Sequence, residues 1–286
     1  MSDFKIITDS CCDLTKEMYQ QLEVEVTPLS VEYDGTFYED GQIPSKEFYD
    51  GLRSGKRSTT SAVNPEGWAN RMEPILAQGT DVLAIAFSSG LSTTYQSAVI
   101  AADELREQYP QRKILVVDTL AASMGQGLLV WYAAKQRQEG KSVEEVYQWL
   151  MDNRLKLAHW FTVNDLMYLK RGGRVNATTA VMGTMLNIKP ILHVDDEGKL
   201  ISVAKARGRK AALNYVVDKL GQTGLAGQND VVFLSHGDCL EDAEYVAQTV
   251  KEKYGVKEGI ISYVGDVIGS HAGPGTIAFF FLAEQR

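Results

Sequence analysis

Three short apolar runs that end in polar residues constrain the fold of this chain more than any other feature. They occupy residues 4–10, 81–89 and 113–118 and are rich in valine and isoleucine. Short runs of this kind are typical of buried strands. Helical stretches follow the second and third runs, and strands that alternate with helices form parallel sheets. The N-terminal part is therefore predicted to be an α/β unit with a largely parallel sheet.

The chain changes character near residue 160. Residues 189–208 have the pattern of a β-hairpin with a turn at Glu197 and Gly198, and residues 276–283 are predicted to form a buried strand. A hairpin among further strands and helices indicates a mixed sheet. We expect two α/β domains, formed by residues 1–160 and 161–286, although no proline- or serine-rich linker marks the division.

The composition argues against two classes of protein. A net charge of −8 over 286 residues, with no polybasic run, does not suit a nucleic-acid-binding protein, which needs a positive face for the phosphates. No stretch has the roughly 18 consecutive apolar residues of a transmembrane helix. Residues 1–10 lack the pattern of a secretory signal. We therefore expect a cytoplasmic protein.

The three cysteines lead to the same expectation. Cys11, Cys12 and Cys239 are an odd number with two adjacent members, and they lack the spacing of metal ligands. They predict a reducing compartment, no disulfide framework and no metal site. Cys11 and Cys12 form either a reactive thiol site or, as is more common for free cysteines, an inert buried pair.

Polar residues follow the three predicted strands at the point where each strand ends. They lie at 8–10, 88–89 and 118–119. Ligands of α/β proteins bind at the carboxyl ends of parallel strands, so these residues are candidates for a shared polar site. Each group can also cap the helix that follows it, and this alternative stays open.

Hydroxyl side chains cluster in two segments. Residues 88–98 read SSGLSTTYQSA, which puts Ser92 at a loop-to-helix junction where backbone N–H groups are free to bind an anion. Residues 59–61 (TTS) form a second cluster within 55–67, a segment whose composition predicts a loop. Neither segment has the lysine or the spacing of a phosphate-binding GxxxxGKS/T loop. The pattern suits a carboxylate or a phosphate ester better than ATP.

Two basic segments each have two interpretations. Residues 171–174 (RGGR) place two arginines around a glycine pair and form either the C-terminal cap of a helix with exposed arginines or a segment with a role in function. Residues 205–210 (KARGRK) form either a solvated basic edge or the place where an anionic ligand or a partner docks. Because the chain is acidic, a local basic patch beside a site would be informative.

A serine hydrolase is the enzymatic alternative. Ser92 and His271, together with an aspartate, have the residue types of a catalytic triad. No GxSxG nucleophile elbow is present, however, because Ser92 lies in GLSTT and Ser123 lies in AASMG. The hydrolase interpretation is therefore not favoured.

The chain resembles the DegV family of bacterial fatty-acid-binding proteins. The resemblance rests on eight segments that occur in order over nearly the whole length. They are TDS at 8–10, TTSAVNP at 59–65, SSGLSTTYQSA at 88–98, VVDTLAASMGQG at 116–127, LMYLKRGGRV at 166–175, LNIKPIL at 186–192, ARGRKAAL at 206–213 and IGSHAGPGTI at 268–277. Two segments depart from the family, since TSAVNP stands where TSQP is commoner and LSTTY stands where the family has LSGTY.

The resemblance implies a carrier that has no catalytic residues and no cofactor. Such a protein would enclose one long-chain fatty acid in a tunnel between and within two α/β domains. It would present the carboxylate to a separate fatty acid kinase, which forms an acyl phosphate for phospholipid synthesis, and it would contact a membrane transiently. By this resemblance Thr60, Ser92 and His271 bind the carboxylate.

The resemblance also implies residues around the head group. The expected neighbours of the carboxylate are Ser61, Thr93, Ser10 and Gly273. The candidates for the kinase step or for docking the kinase are Arg207, Arg209 and Arg171, with no choice made between the first two. His271 is expected to be near its charged-to-neutral transition, so that it can donate to the carboxylate or offset its charge.

Several points stay open at the level of the sequence. Met182, Met185, Leu186 and residues 279–281 either line the tunnel or pack in the core. The chain preference depends on the shape of the cavity, which one sequence does not predict. Two other functions also remain: an esterase or acyltransferase that uses Ser92 and His271, and a sensor whose ligand state controls a protein partner.

Overall fold

Strands and helices alternate through most of the chain in the computed structural model, which describes residues 4–175 and 187–286. The strands are β1 (Phe4–Asp9), β2 (Val24–Thr27), β3 (Ser30–Tyr33), β4 (Thr36–Glu39), β5 (Ser58–Ser61), β6 (Asp81–Ala86), β7 (Ile114–Asp118), β8 (Leu157–Thr162), β9 (Ile188–Val194), β10 (Leu200–Arg207), β11 (Val231–His236), β12 (Glu258–Tyr263) and β13 (Ile277–Leu282). The helices are α1 (Lys16–Gln21), α2 (Ser45–Arg53), α3 (Pro65–Ala77), α4 (Thr94–Gln108), α5 (Met124–Gln138), α6 (Val143–Asn153), α7 (Met167–Arg171), α8 (Arg209–Thr223), α9 (Leu240–Tyr254) and α10 (Asp266–Ala272). Within these residues no helix is long and apolar enough to cross a membrane.

The four-stranded sheet confirms the predicted parallel unit. Its order is β2-β1-β6-β7 and every pair of neighbours is parallel, with Ile6 of β1 aligned with Val24 of β2 and Leu83 of β6. The three apolar runs of the sequence are β1, β6 and β7. Parallel sheets are covered on both faces, which is why β1 and β6 are almost continuously buried.

A small antiparallel sheet carries one of the predicted site residues. Its order is β4-β3-β5, and Thr60 of β5 is aligned with Val31 of β3. The prediction of a loop over residues 55–67 is therefore wrong for β5. Composition misleads here because β5 consists of serine and threonine alone. Pairing with β3, a contact between distant parts of the chain, makes the segment a strand.

The six-stranded sheet confirms the predicted mixed sheet. Its order is β10-β9-β8-β13-β11-β12, with β11 and β12 parallel and the other neighbours antiparallel. The predicted hairpin is β9 and β10, with Gly198 at φ 73° in the turn. Residue 160 lies inside β8, so the division after residue 160 stays a prediction, and the sheet itself would place it before Leu157.

Helix α5 lies between the two large sheets. Most of its residues are buried, and it contacts β1 and β6 of the four-stranded sheet as well as β8, β11 and β13 of the six-stranded sheet. One apolar core therefore contains residues of both sheets, such as Ile6 and Phe280. The opposite face of the six-stranded sheet packs against α8 and α9.

The apolar segment near the C-terminus divides between two environments. Phe279 and Phe281 of β13 pack with α8 and α9, whereas Phe280 faces the core that the two sheets share. This alternation follows from the strand, since successive side chains point to opposite faces. The predicted tunnel residues Met182, Met185 and Leu186 lie outside the described residues.

Burial decides the chemical state of the adjacent cysteines. Cys11 and Cys12 are free and completely buried, and burial raises the pKa of Cys12 to about 12. Burial also raises the pKa of Cys11. Because the thiolate is the reactive form, these raised values support an inert buried pair over a reactive thiol site.

Candidate functional site

A cavity of about 550 Å³ lies between the loops at the carboxyl edge of the four-stranded sheet and one face of the six-stranded sheet. More than half of its lining residues are apolar, among them Leu29, Phe87, Phe161, Val194, Leu200 and Phe280. Its volume falls within the roughly 300–1,000 Å³ that is typical of small-molecule sites. A cavity with this lining suits a ligand that is mainly hydrocarbon.

The floor of the cavity is a face of the six-stranded sheet. Phe161 of β8, Ala278 of β13 and Ser235 of β11 are aligned across three neighbouring strands, and all three line the cavity. His159 and Phe280 form the next aligned pair on the same face. The floor is thus set by strand register, which brings together residues that are far apart in the sequence.

Thr60 and His271 meet at one part of the lining. Thr60 lies on β5 and His271 lies in the last turn of α10, and the Thr60 hydroxyl is 2.8 Å from Nε2 of the imidazole. Both residues line the cavity. The structure therefore brings together two of the three residues that the sequence assigned to a carboxylate.

Ser92, the third of these residues, also lines the cavity but has a second task. Its hydroxyl lies 2.9 Å from the Thr94 hydroxyl and accepts a hydrogen bond from the Thr94 backbone N–H at 3.2 Å. Ser92 thus satisfies a free N–H group at the start of α4. Capping and cavity lining, which the sequence left as alternatives, are combined in this residue.

The four predicted head-group neighbours divide into two pairs. Ser61 and Thr93 line the cavity. Ser10 lies outside the lining, and its hydroxyl accepts a hydrogen bond from the Leu29 N–H at 3.0 Å. Gly273 also lies away from the lining, with φ 78° at the end of α10, where a Cβ atom would lie 2.5 Å from the Tyr168 ring.

The imidazole of His271 is neutral at pH 7. Burial, with a smaller effect from the positive charge of Arg174, lowers its pKa to about 4. The expectation that His271 is near its charged-to-neutral transition is therefore wrong, because a buried cation next to an arginine is unfavourable. A neutral imidazole can still donate one hydrogen bond and accept another.

The pKa of His271 can be measured directly. In ¹³C-histidine-labelled protein, we expect the ring signal that is lost in His271→Asn to titrate with a midpoint near pH 4. Arg174→Gln should raise this midpoint but leave it below 6.5, since burial is the larger cause. Because folding weakens proton binding, the free energy of unfolding should lose a contribution as the pH falls from about 6.5 toward 4. A midpoint near 6.5 in the wild-type protein would contradict the buried environment.

Arg174 is the site residue that the sequence did not single out. It lines the cavity, and its Nε donates to the Leu91 carbonyl oxygen at 3.3 Å, one residue before Ser92. It is the one arginine or lysine among the described residues of the lining. The RGGR segment could have indicated it. The sequence singles out its first arginine, Arg171, whereas its last arginine, Arg174, lines the cavity.

The glycine pair of RGGR explains how this turn fits against the site. A Cβ atom on Gly172 would lie 2.1 Å from Nδ1 of His271, so a side chain at this position would displace the imidazole. Gly173 has φ 70°, which glycine adopts without strain. Within the described residues, the buried Nδ1 of His271 has no hydrogen-bond partner. The turn after α7 therefore places Arg174 and the ring of His271 side by side.

The strand ends converge as predicted, but their carboxylates bind the backbone. Asp9 accepts hydrogen bonds from the N–H groups of Cys11 at 3.0 Å and Phe87 at 2.7 Å, and Asp118 accepts from the Ser89 N–H at 3.1 Å. Burial raises the pKa of Asp9 to about 7. These bonds fix the loop after β6, which contributes Phe87, Ser89 and Ser92 to the lining of the cavity.

The three arginines predicted to contact a partner differ in their exposure and in their side-chain contacts. Arg209 is half-buried, and its guanidinium lies 2.8 Å from the Asp242 carboxylate. Arg207 is exposed at the end of β10 and forms no ion pair with the residues described. Arg171 is exposed, and its guanidinium lies over the Tyr168 ring at 4.6 Å.

The arrangement does not resemble a catalytic triad. Ser92 and His271 each bond to a threonine and not to each other, and no carboxylate of the described residues orients the imidazole. A serine nucleophile needs a base within hydrogen-bond reach. Within residues 4–175 and 187–286, no three His, Cys, Asp or Glu side chains lie where they could hold a metal ion.

Comparison with known proteins extends over the whole chain. The model of the DegV family, described as uncharacterised proteins, matches residues 3–284. A DegV domain-containing protein of Clostridium perfringens is 45% identical over 289 aligned residues, which cover 100% of this chain and 99% of that protein. A DegV family protein of Thermus thermophilus, described by its fatty acid binding, is 33% identical with a TM-score of 0.88 over 98% of this chain and 99% of its own. A stearic acid-binding protein of Eubacterium ventriosum is 26% identical with a TM-score of 0.87 over 98% of each chain.

Proposed function

This chain belongs to the DegV family, and we propose that it encloses one long-chain fatty acid and presents the carboxylate to a separate fatty acid kinase. The observation that carries the proposal is the cavity itself, an apolar space of about 550 Å³ with Thr60, Ser92, His271 and Arg174 in its lining. Fatty acid binding by the Thermus thermophilus and Eubacterium ventriosum relatives supports it.

The apolar lining can supply most of the affinity. A saturated chain of about 16 carbons has about 14 methylene groups, and burying each contributes roughly 0.8 kcal/mol, which gives about 11 kcal/mol before the costs of association. The polar residues then need only to hold the head group in one place. Affinity and orientation are thus assigned to different parts of the cavity.

The head group is held by one charge and several hydrogen bonds. Arg174 offsets the negative charge of the carboxylate, and the hydroxyls of Thr60 and Ser92 can donate to its oxygens. His271 can carry its single proton on Nε2 and donate it to the carboxylate as well, because Nε2 lies only 2.8 Å from the Thr60 hydroxyl. Because His271 is neutral, it adds a hydrogen bond but no second positive charge, so within the described lining Arg174 alone lowers the electron density that the carboxylate needs to attack a nucleotide phosphate.

The kinase would recognise the surface around the basic segments. Arg207 is exposed and has no ion pair within the described residues, whereas Arg209 is held by Asp242. We therefore assign the docking role to Arg207 rather than to Arg209, with Arg171 as a second contact. The acyl phosphate would be formed on the kinase, and this chain would act as its carrier.

Native mass spectrometry of the purified protein tests the proposal. We expect a co-purified fatty acid near one per chain, and we expect Thr60→Ala, Ser92→Ala and His271→Ala to weaken binding to the delipidated protein. Thr59→Ala is the matched control, because Thr59 lies on the same strand with its side chain exposed toward Glu32. A protein that stays empty in lipid-replete cells, or three variants with wild-type binding and phosphorylation, would overturn the proposal.

A further inference from the structure

A second polar set lines the cavity on the floor formed by the six-stranded sheet. The Ser235 hydroxyl of β11 lies 2.8 Å from the Ser123 hydroxyl at the start of α5, and both residues are buried and line the cavity. Ser123 also donates to the carboxylate of Asp13, which in turn accepts a hydrogen bond from the Gly265 N–H at 3.0 Å. A chain of hydrogen bonds therefore runs from Asp13 through Ser123 to Ser235.

The surroundings of this set are apolar. Ser235 is aligned with Ala278 of β13, which is aligned with Phe161 of β8, and Phe233 and Phe280 follow on the same face. A saturated tail that lies on this floor meets mainly hydrocarbon, apart from the two serines and the His159 ring, whose nitrogens bond to the backbone. The two serines bond to each other, and a saturated tail leaves the remaining hydrogen-bonding capacity of Ser235 unused, whereas a hydroxyl group on the tail would use it.

The backbone conformation of Ser123 is strained. Its φ of 56° and ψ of −147° fall in a region that is essentially reserved for glycine. The side chain at this strained position is the link between Asp13 and Ser235.

Whether Asp13 is ionised or protonated, the hydroxyl of Ser235 keeps either its lone pairs or its proton free for a further hydrogen bond. If Asp13 is ionised, Ser123 donates to Asp13, Ser235 donates to Ser123, and the lone pairs of Ser235 stay free. If Asp13 is protonated, each donor reverses and the Ser235 hydroxyl proton is free. Within the described residues, Ser235 has no side-chain partner besides Ser123. A ligand hydroxyl, which both donates and accepts, matches both arrangements.

We propose that Ser123 and Ser235 form a subsite for a hydroxyl group on the acyl chain, so that the cavity accepts hydroxylated long-chain acids as a ligand class. This inference rests on the proposed function, because the carboxylate must be held elsewhere for the tail to reach the sheet floor. The subsite selects for the position of the hydroxyl along the chain, since the two serines occupy one place on the floor.

A competition experiment with positional isomers tests the subsite. Delipidated wild-type protein is titrated with stearic acid and with a series of hydroxystearic acids that differ in the position of the hydroxyl. We expect one position to bind better than its neighbours by on the order of 5-fold, the usual effect of one buried hydrogen bond. Ser235→Ala should remove this preference relative to stearate, and Ser235→Thr, which keeps a hydroxyl, should retain part of it.

Ser202→Ala is the matched control, because Ser202 lies on β10 outside the cavity lining and its loss should leave the preference unchanged. The comparison in the wild-type protein needs no variant, so the inference can be tested even if Ser235→Ala does not fold. If stearate binds and every hydroxystearic acid binds more weakly than stearate by the same factor, the subsite is overturned but the proposed function is not. A wild-type protein that binds neither stearate nor any isomer would overturn the proposed function and the subsite with it.

Discussion

Replacement of Ala278 by phenylalanine is expected to lower stearate affinity by at least about 100-fold. Ala278 lies in the middle of the cavity floor, between Phe161 and Ser235. A phenyl ring there would occupy the space of the tail, and excluding about half of the methylene groups of stearate removes roughly 6 kcal/mol of apolar burial. A loss of that size exceeds 100-fold, since each 1.4 kcal/mol is about tenfold.

The measurement is isothermal titration of delipidated protein with stearate, together with thermal unfolding. Val203→Phe is the control, because Val203 is 43% exposed on β10 and its replacement adds the same ring outside the cavity. Wild-type stearate affinity in a folded Ala278→Phe protein would show that the acid binds elsewhere.

Arg174→Gln is expected to weaken fatty acid binding by about 10- to 100-fold. A hydrogen bond to a charged group contributes about 1.5–3 kcal/mol, and Arg174 is the one arginine or lysine in the described lining. Its loss leaves the carboxylate with neutral donors from Thr60, Ser92 and His271. The variant should also reduce the advantage of the acid over the corresponding primary alcohol, because the alcohol carries no charge.

Lys170→Gln separates this local effect from a change in net charge. Lys170 is exposed in the same turn, so its loss removes one positive charge without reaching the cavity. We expect its affinity to stay within about twofold of the wild-type value, as is usual for an exposed charge. Equal losses in the two variants would mean that the charge acts through the whole surface and not at the head group.

The parts of the fold that were predictable are those in which local pattern and tertiary structure agree. The short, β-branched apolar runs of β1, β6 and β7 are typical of buried strands, and alternation with helices predicted the parallel sheet. Strand β5 was missed because its serines and threonines carry no apolar pattern, and pairing with β3 makes it a strand.

The site was predictable in its residue types more than in its electrostatics. Thr60, Ser92 and His271 were named through the resemblance, and all three line the cavity. Arg174 was passed over because RGGR also fits an ordinary helix end, and only the packing of that turn against His271 gives its last arginine a role. The neutral state of His271 likewise depends on burial, which the sequence does not contain.

The sequence by itself determined the family and the alternation of β1, β6 and β7 with helices, because periodicity and ordered motifs are local properties of the chain. The tertiary structure decided which hydroxyl groups line the cavity and which arginine lies beside the His271 imidazole. It also decided that this imidazole is neutral. Those outcomes depend on strand register and on burial, and both arise from contacts between residues far apart in the chain, such as Thr60 with His271 and Ser123 with Ser235.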